Sequence, residues 1–177
     1  MNDNTTLIDA AKQAMSMRVA DDSDFMPTVV LDYVSGETTV VLLGIEGHPF
    51  DVLLACAKDI VTGPLSSVSL TVDTYMYKGP AEGASFGNLG VRFNNGDPDV
   101  TEALSITVAE RANDRATSVH LPYVRGHDIN HTPTILWGEA MEVSGEDTDG
   151  RVPALLTAMV WASDIMADLD RAEDGES

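Results

Sequence analysis

Residues 102–126 read EALSITVAERANDRATSVHLPYVRG, and the pattern inside them decides the fold class. Leu104, Ile106 and Val108 alternate with Ser105, Thr107 and Ala109, the period of two that puts successive side chains on opposite faces of a strand. Asn113-Asp114 then turns the chain, and Val119, Leu121 and Tyr123 supply a second apolar face, so the segment predicts an antiparallel hairpin. On that alternation His120 points away from the apolar face. Upstream, SSVSLTVDTYMY (66–77) repeats the period: Val68, Leu70, Val72 and Met76 point one way. Ser67, Ser69, Thr71, Asp73, Tyr75 and Tyr77 point the other, which predicts one core face and one more polar face.

PTVVLDYV (27–34) and TTVVLLGI (38–45) are rich in β-branched residues and are joined by Ser35-Gly36-Glu37, a short glycine-containing turn that predicts another hairpin. The second of these is apolar on both faces, the signature of a central strand. ILWGEAMEV (135–143) reads as a last strand bulged at Gly138. Helices are expected at about 5–20, 50–62 and 152–171. In the first, Leu7, Ile8, Ala11, Ala14, Met15 and Val19 recur at helical spacing. The second begins at Pro49 or Asp51 and is stopped by Gly63-Pro64; the third carries Pro153 in its first turn. Residues 79–99, with glycines at 79, 83, 87, 90 and 96, read as a long loop containing a short strand at 91–93. The expected class is α+β: a single mixed or mostly antiparallel sheet of about six strands, covered by helices on one face, in the order α-β-β-α-β-(loop)-β-β-β-α. Residues 1–172 form one domain on this reading, with an acidic tail at 173–177.

Ten Lys and Arg against 29 Asp and Glu give a formal net charge of −19. Such a field opposes direct binding to nucleic-acid phosphates and to anionic membranes. High-salt adaptation, a basic partner and mimicry of DNA would each account for it; only three lysines (Lys12, Lys58, Lys78) beside nineteen aspartates suits salt adaptation or a GC-rich genome. Hydrophobic residues at 44% suffice for a core, and no apolar run approaches membrane-spanning length. The start MNDNTTLIDA lacks the basic and apolar regions of a signal peptide, so a soluble cytoplasmic protein is expected, of a bacterium or of a phage-infected host. Cys56 stands alone in VLLACA, which predicts a buried, inert thiol and excludes an internal disulfide.

Reactive side chains concentrate in 117–143, TSVHLPYVRGHDINHTPTILWGEAMEV. His120, Arg125, His127, Asp128 and His131 are the polar set from which a small hydrolase or metal-dependent enzyme would be built. His127-x3-His131 with Asp128 between them is the nearest approach to a metal-ligand set, but Gly126 and Pro133 place it in a loop, where the four-residue spacing loses its helical meaning. Gly83-Ala84-Ser85-Phe86-Gly87 matches G-x-S-x-G and makes Ser85 a candidate nucleophile, although NLGVRFNNGDP after it is a poor helix. Glu139, between Trp137 and Met141, would be desolvated on a regular strand and could then act as a general acid; a bulge at Gly138 would turn it to solvent instead. Gly145-x-Asp147-x-Asp149-Gly150 echoes half a calcium loop, but its twelfth position is Leu156 where a bidentate Glu is required. Tyr75, Tyr77, Tyr123 and Trp137 could line a groove for a basic peptide if their strands are neighbours. No cofactor is expected.

The succession of an opening helix and hairpin, a helix, the strand LTVDTYMYKGP, a loop, the pair EALSITVAERANDRATSVHLPYVRG and a closing strand and helix resembles small uncharacterised α+β proteins of bacteria, especially actinobacteria, and their phages. The resemblance implies no activity. The leading expectation is a non-enzymatic protein-interaction or assembly module, oligomeric and phage-encoded. An enzyme using the 120–131 cluster and an acidic DNA mimic are the alternatives. These readings separate on structure: an enzyme needs the polar groups convergent in a pocket, whereas an assembly module needs an apolar patch or a strand edge free to pair.

Overall fold

The computed structural model of the protein describes residues 4–21, 23–44, 46–80, 88–113, 115–143 and 150–174, with side chains described outside 4–5 and 166–174. The elements are α1 (Asn4–Ala20), β1 (Thr28–Tyr33), β2 (Thr38–Leu42), α2 (Pro49–Ile60), β3 (Leu65–Tyr77), α3 (Leu89–Asn94), β4 (Val100–Glu110), β5 (Thr117–His127), β6 (Pro133–Trp137), β7 (Met141–Val143) and α4 (Arg151–Asp174). They form the expected α+β architecture. A single antiparallel sheet runs in the order β2-β1-β3-β4-β5-β6, and β7 also pairs with β5. None of the described helices is long and apolar enough to cross a membrane.

Two local expectations are corrected. TTVVLLGI is not a central strand: β2 stands at the end of the strand order and every residue of it but Val41 is exposed. Its apolar double face resembled that of a buried strand because valine and leucine report hydrophobicity, not neighbours. Residues 91–93 are not a strand but lie in α3, where Asn88 at φ 53° presents its Oδ1 to the Val91 N–H at 3.4 Å and caps the turn. The more polar face of β3 is itself buried at its centre, where Ser69 and Thr71 are each only 4% accessible. ILWGEAMEV divides into β6 and β7 around 138–140, where the Gly138 N–H donates to the Pro122 carbonyl at 2.7 Å.

The chain packs as two compact units, and strands β3, β4 and β5 contribute residues to both. One unit comprises Met26–Val72, Ile106–Val119 and Glu142–Ser177. Its core joins Val29, Leu31 and Tyr33 of β1 and Val68 and Leu70 of β3 to Leu53 of α2 and Leu156, Met159 and Val160 of α4. Alternate residues of each strand enter this core, as the period of two requires. α2 starts where His48 accepts the Phe50 N–H on its Nδ1 at 3.2 Å, which gives the fourth histidine a capping role. Arg111 fastens α4: its Nη1 and Nη2 donate to the two oxygens of Asp164 at 2.8 and 3.1 Å while its Nε donates to the Leu65 carbonyl at 2.7 Å. Ser163, fully buried, accepts the Leu65 N–H at 2.9 Å.

The other unit comprises Met1–Phe25, Asp73–Ser105 and His120–Met141. Here α1 packs on β6, burying Ala11, Met15 and Val19, which recur every fourth residue along one helical stripe. Val100, Ala103, Leu104, Leu121, Tyr123 and Ile135 are among the buried strand residues of this unit. Tyr123 stands opposite Trp137 in the β5–β6 register, their ring centroids 5.6 Å apart, and the Lys12 ammonium lies 5.8 Å from the Trp137 ring.

Candidate functional site

The densest polar cluster of the second-described unit is built on adjacent strands. Asp73 comes from β3, Glu102 from β4, and Tyr123 and Arg125 from β5, whose i, i+2 spacing puts both side chains on one face. The Tyr123 hydroxyl donates to Asp73 Oδ1 at 2.7 Å and lies 3.4 Å from Glu102 Oε1. Arg125 donates through Nε to Glu102 Oε1 at 3.0 Å and through Nη2 to Asp73 Oδ2 at 3.4 Å and to the Tyr123 hydroxyl at 3.3 Å. One guanidinium thus faces two carboxylates, only 26% and 14% accessible, with a phenol between them.

Burial raises the Asp73 carboxyl above its ordinary value, although the Tyr123 hydrogen bond and the Arg125 charge pull the other way. Burial and the bond donated to Asp73 hold the Tyr123 phenol well above its usual range. The phenol therefore keeps its proton at neutral pH. Arg125 also lines an open cleft of about 240 Å³ with Val19, Ser23, Asp24, Gly126, His127 and Pro133.

The structure brings together only part of the set that the sequence singles out. Arg125 and His127 share the cleft. His120 is half-buried in mid-strand, where burial lowers its pKa, and seven residues of extended chain put it about 23 Å along the strand from His127. Asp128 is consumed by the β5–β6 turn: its Oδ1 accepts the N–H groups of Asn130 at 2.8 Å and Thr132 at 2.9 Å, and these bonds hold its carboxyl below the usual range. His131, exposed at φ 61°, completes that turn by donating its N–H to the Asp128 carbonyl. Among the described residues no group of three His, Cys, Asp or Glu side chains is placed to hold a metal ion, so His127, Asp128 and His131 do not form the ligand set their spacing suggested. Glu139 is exposed between β6 and β7, turned to solvent by the break at Gly138. Ser85 and its G-x-S-x-G frame lie outside the described residues, as does 144–149 of the calcium-like segment.

Sequence reasoning missed Glu102. The signal was there: Glu102 shares the parity of Leu104, Ile106 and Val108, so a carboxylate opens an otherwise apolar face and calls for a cationic partner. It also missed the role of Asp73, whose parity with Tyr75 was noted but whose neighbour across the sheet could not be.

A second candidate site is made of backbone. In the β1–β2 ladder Tyr33 N donates to Glu37 O at 2.9 Å and Leu43 N to Pro27 O at 2.8 Å, with Leu31 opposite Thr39 and Val29 opposite Val41. The odd-numbered residues of β2 therefore bond to β1, and Thr38, Val40 and Leu42 turn their N–H and C=O groups to the free side. Their side chains are exposed too: Val40 at 60% and Leu42 at 52% are large apolar groups in water. No residue of TTVVL is charged. Native edges are ordinarily guarded by lysine, proline, a bulge or a covering element, and within β2 none of the first three is present.

No protein-family model matches the chain, and no curated protein or solved structure matches it either.

Proposed function

We propose that the protein is a non-enzymatic interaction module that accepts a strand from a protein partner along β2. The observation that carries this reading is the row of outward backbone groups on Thr38, Val40 and Leu42, beside exposed apolar side chains on an uncharged edge. Main-chain pairing would supply affinity there, and the side chains of Val40 and Leu42 would select apolar residues at alternate positions of the incoming strand. The polar cluster supports the same reading from the other side. Its phenol, guanidinium and carboxylates are engaged with one another, an arrangement that ties three strands together rather than exposing a nucleophile and a base.

The test uses a synthetic extended peptide of alternating valine and threonine flanked by lysines, its ends chosen to suit a chain of net charge −19. Residue-resolved amide hydrogen exchange should show the peptide slowing Thr38, Val40 and Leu42 while leaving Thr39 and Val41, already bonded to β1, unchanged. Protection confined to another edge, or none up to millimolar peptide, would sink the reading.

A further inference from the structure

We infer that the open cleft between the end of α1 and the strand ends at the β5–β6 turn binds a primary ammonium that neighbours a carbonyl or carboxylate oxygen. This is the chemistry of a free α-amino acid and of a peptide N-terminus. The cleft of about 240 Å³ lies wholly within the unit that holds the Asp73–Glu102–Tyr123–Arg125 cluster, and the inference stands apart from the strand-acceptor reading of β2. That volume holds roughly eight waters at about 30 Å³ each, or one small amino acid.

Side chains in its wall have bonding capacity that the protein leaves unused. Arg125 commits Nε to Glu102 and Nη2 to Asp73 and Tyr123, which fixes the guanidinium and leaves Nη1 without a partner among the described residues. The Asp24 carboxylate and the His127 ring make no hydrogen bond or ion pair among the described residues. Asp24 and Arg125 therefore line one cleft with opposite charges and do not pair with each other. A ligand with its own separated charge and acceptor fits such walls: its ammonium donates to Asp24, and its oxygen accepts from Arg125 Nη1. His127 offers a further ring nitrogen beside them.

Electrostatics selects the charge of the ligand. The one positive charge of Arg125 already faces the carboxylates of Asp73 and Glu102, and Asp24 adds another that acts on Asp73. The carbonyl end of α1, whose last turn carries Val19, adds partial negative charge. A simple anion is repelled there and by the net charge of −19. A zwitterion is not, because it brings its own positive charge to Asp24. Val19 and Pro133 give the cleft an apolar flank, which suits a small aliphatic side chain beside the ammonium.

Amide NMR shifts of the whole chain, titrated with L-valine, test the assignment. The amides of Ser23, Asp24, Gly126 and His127 should move and saturate in the millimolar range expected of so small a ligand in an open cleft. N-acetyl-L-valine, which lacks the ammonium, and isobutylamine, which lacks the carboxylate, should each bind roughly tenfold more weakly or worse. Asp24→Asn should weaken L-valine by roughly tenfold. Asp59→Asn, which removes an exposed acid on α2, should leave the titration unchanged. Binding should persist at about 0.5 M salt, where adsorption of a bare cation to an acidic surface is screened away. L-Valinamide separates the two sources of the ligand. Binding at least as tight as that of L-valine assigns a peptide N-terminus, and weaker binding assigns the free amino acid. No movement of these amides at tens of millimolar L-valine would overturn the inference. So would equal binding of N-acetyl-L-valine or of isobutylamine, or indifference to Asp24→Asn.

Discussion

The strand order ends in two strands of the same length, each without a charged residue, TTVVL in β2 and PTILW in β6. Their environments differ. One face of β6 lies under α1, with Ile135 at 9% accessibility, Trp137 against Tyr123 and the Lys12 ammonium over the indole, while Leu136 on the other face is exposed; β6 also begins with a proline, which has no N–H to offer. β2 has Val40 and Leu42 more than half exposed and its outward backbone unbonded among the described residues. The exposure of an edge is thus set by what packs over it, not by its residue types alone.

The comparison is tested most severely by truncating each edge. Ile135→Ala should cost about 2–4 kcal/mol in urea unfolding, as expected for a buried aliphatic chain, while Val40→Ala should cost under about 0.5 kcal/mol. Similar losses at both sites would erase the distinction between them. Tyr123→Phe should cost roughly 1–3 kcal/mol, because it leaves the Asp73 carboxyl without its closest donor; a neutral result would mean that Arg125 alone satisfies Asp73.

Gly138→Ala probes the break between β6 and β7. A Cβ there would stand 3.0 Å from Pro122 Cγ and 3.3 Å from the Pro122 carbonyl oxygen, so about 1–3 kcal/mol should be lost. A smaller effect comes from pH. The Asp73 carboxyl titrates above its ordinary value of 3.8 in the folded protein, so in that window the folded state binds more protons than the unfolded one. Its contribution to stability is full below the unfolded value and is lost as pH rises through the folded one. Asp73→Asn stays neutral throughout. The stability of the parent protein relative to this variant should therefore decline from about pH 4 upward and then level off. A difference that rises with pH would mean that Arg125 outweighs burial. Smallest of all, Val40→Lys should leave the fold within about 0.5 kcal/mol of the parent, so that its effect on strand acceptance is read without a folding penalty.

Much of the local structure was legible. The period of two in 66–77 and 102–126 located β3, β4 and β5, and the every-fourth-residue stripe of Ala11, Met15 and Val19 located the buried side of α1. Arg125 and His127 were legible as neighbours because they share a strand end. The failures all concern partners. Asp128 looks like a ligand until its Oδ1 is found holding a turn, and α3 forms through the cap supplied by Asn88 in a segment with little helical pattern of its own. Glu102 gains its meaning only beside Arg125, 23 residues away in the chain.

By itself the sequence determined the α+β class, the antiparallel hairpins and the −19 charge, because periodicity and composition are properties of short stretches and sums. Tertiary structure alone decided which apolar strand would be covered. TTVVL and PTILW carry comparable hydrophobicity, and the burial of each depends on whether a segment distant in sequence packs over it. The same holds for the Asp73–Glu102–Tyr123–Arg125 cluster. Its charges come from three strands, and only their register puts them within hydrogen-bonding distance.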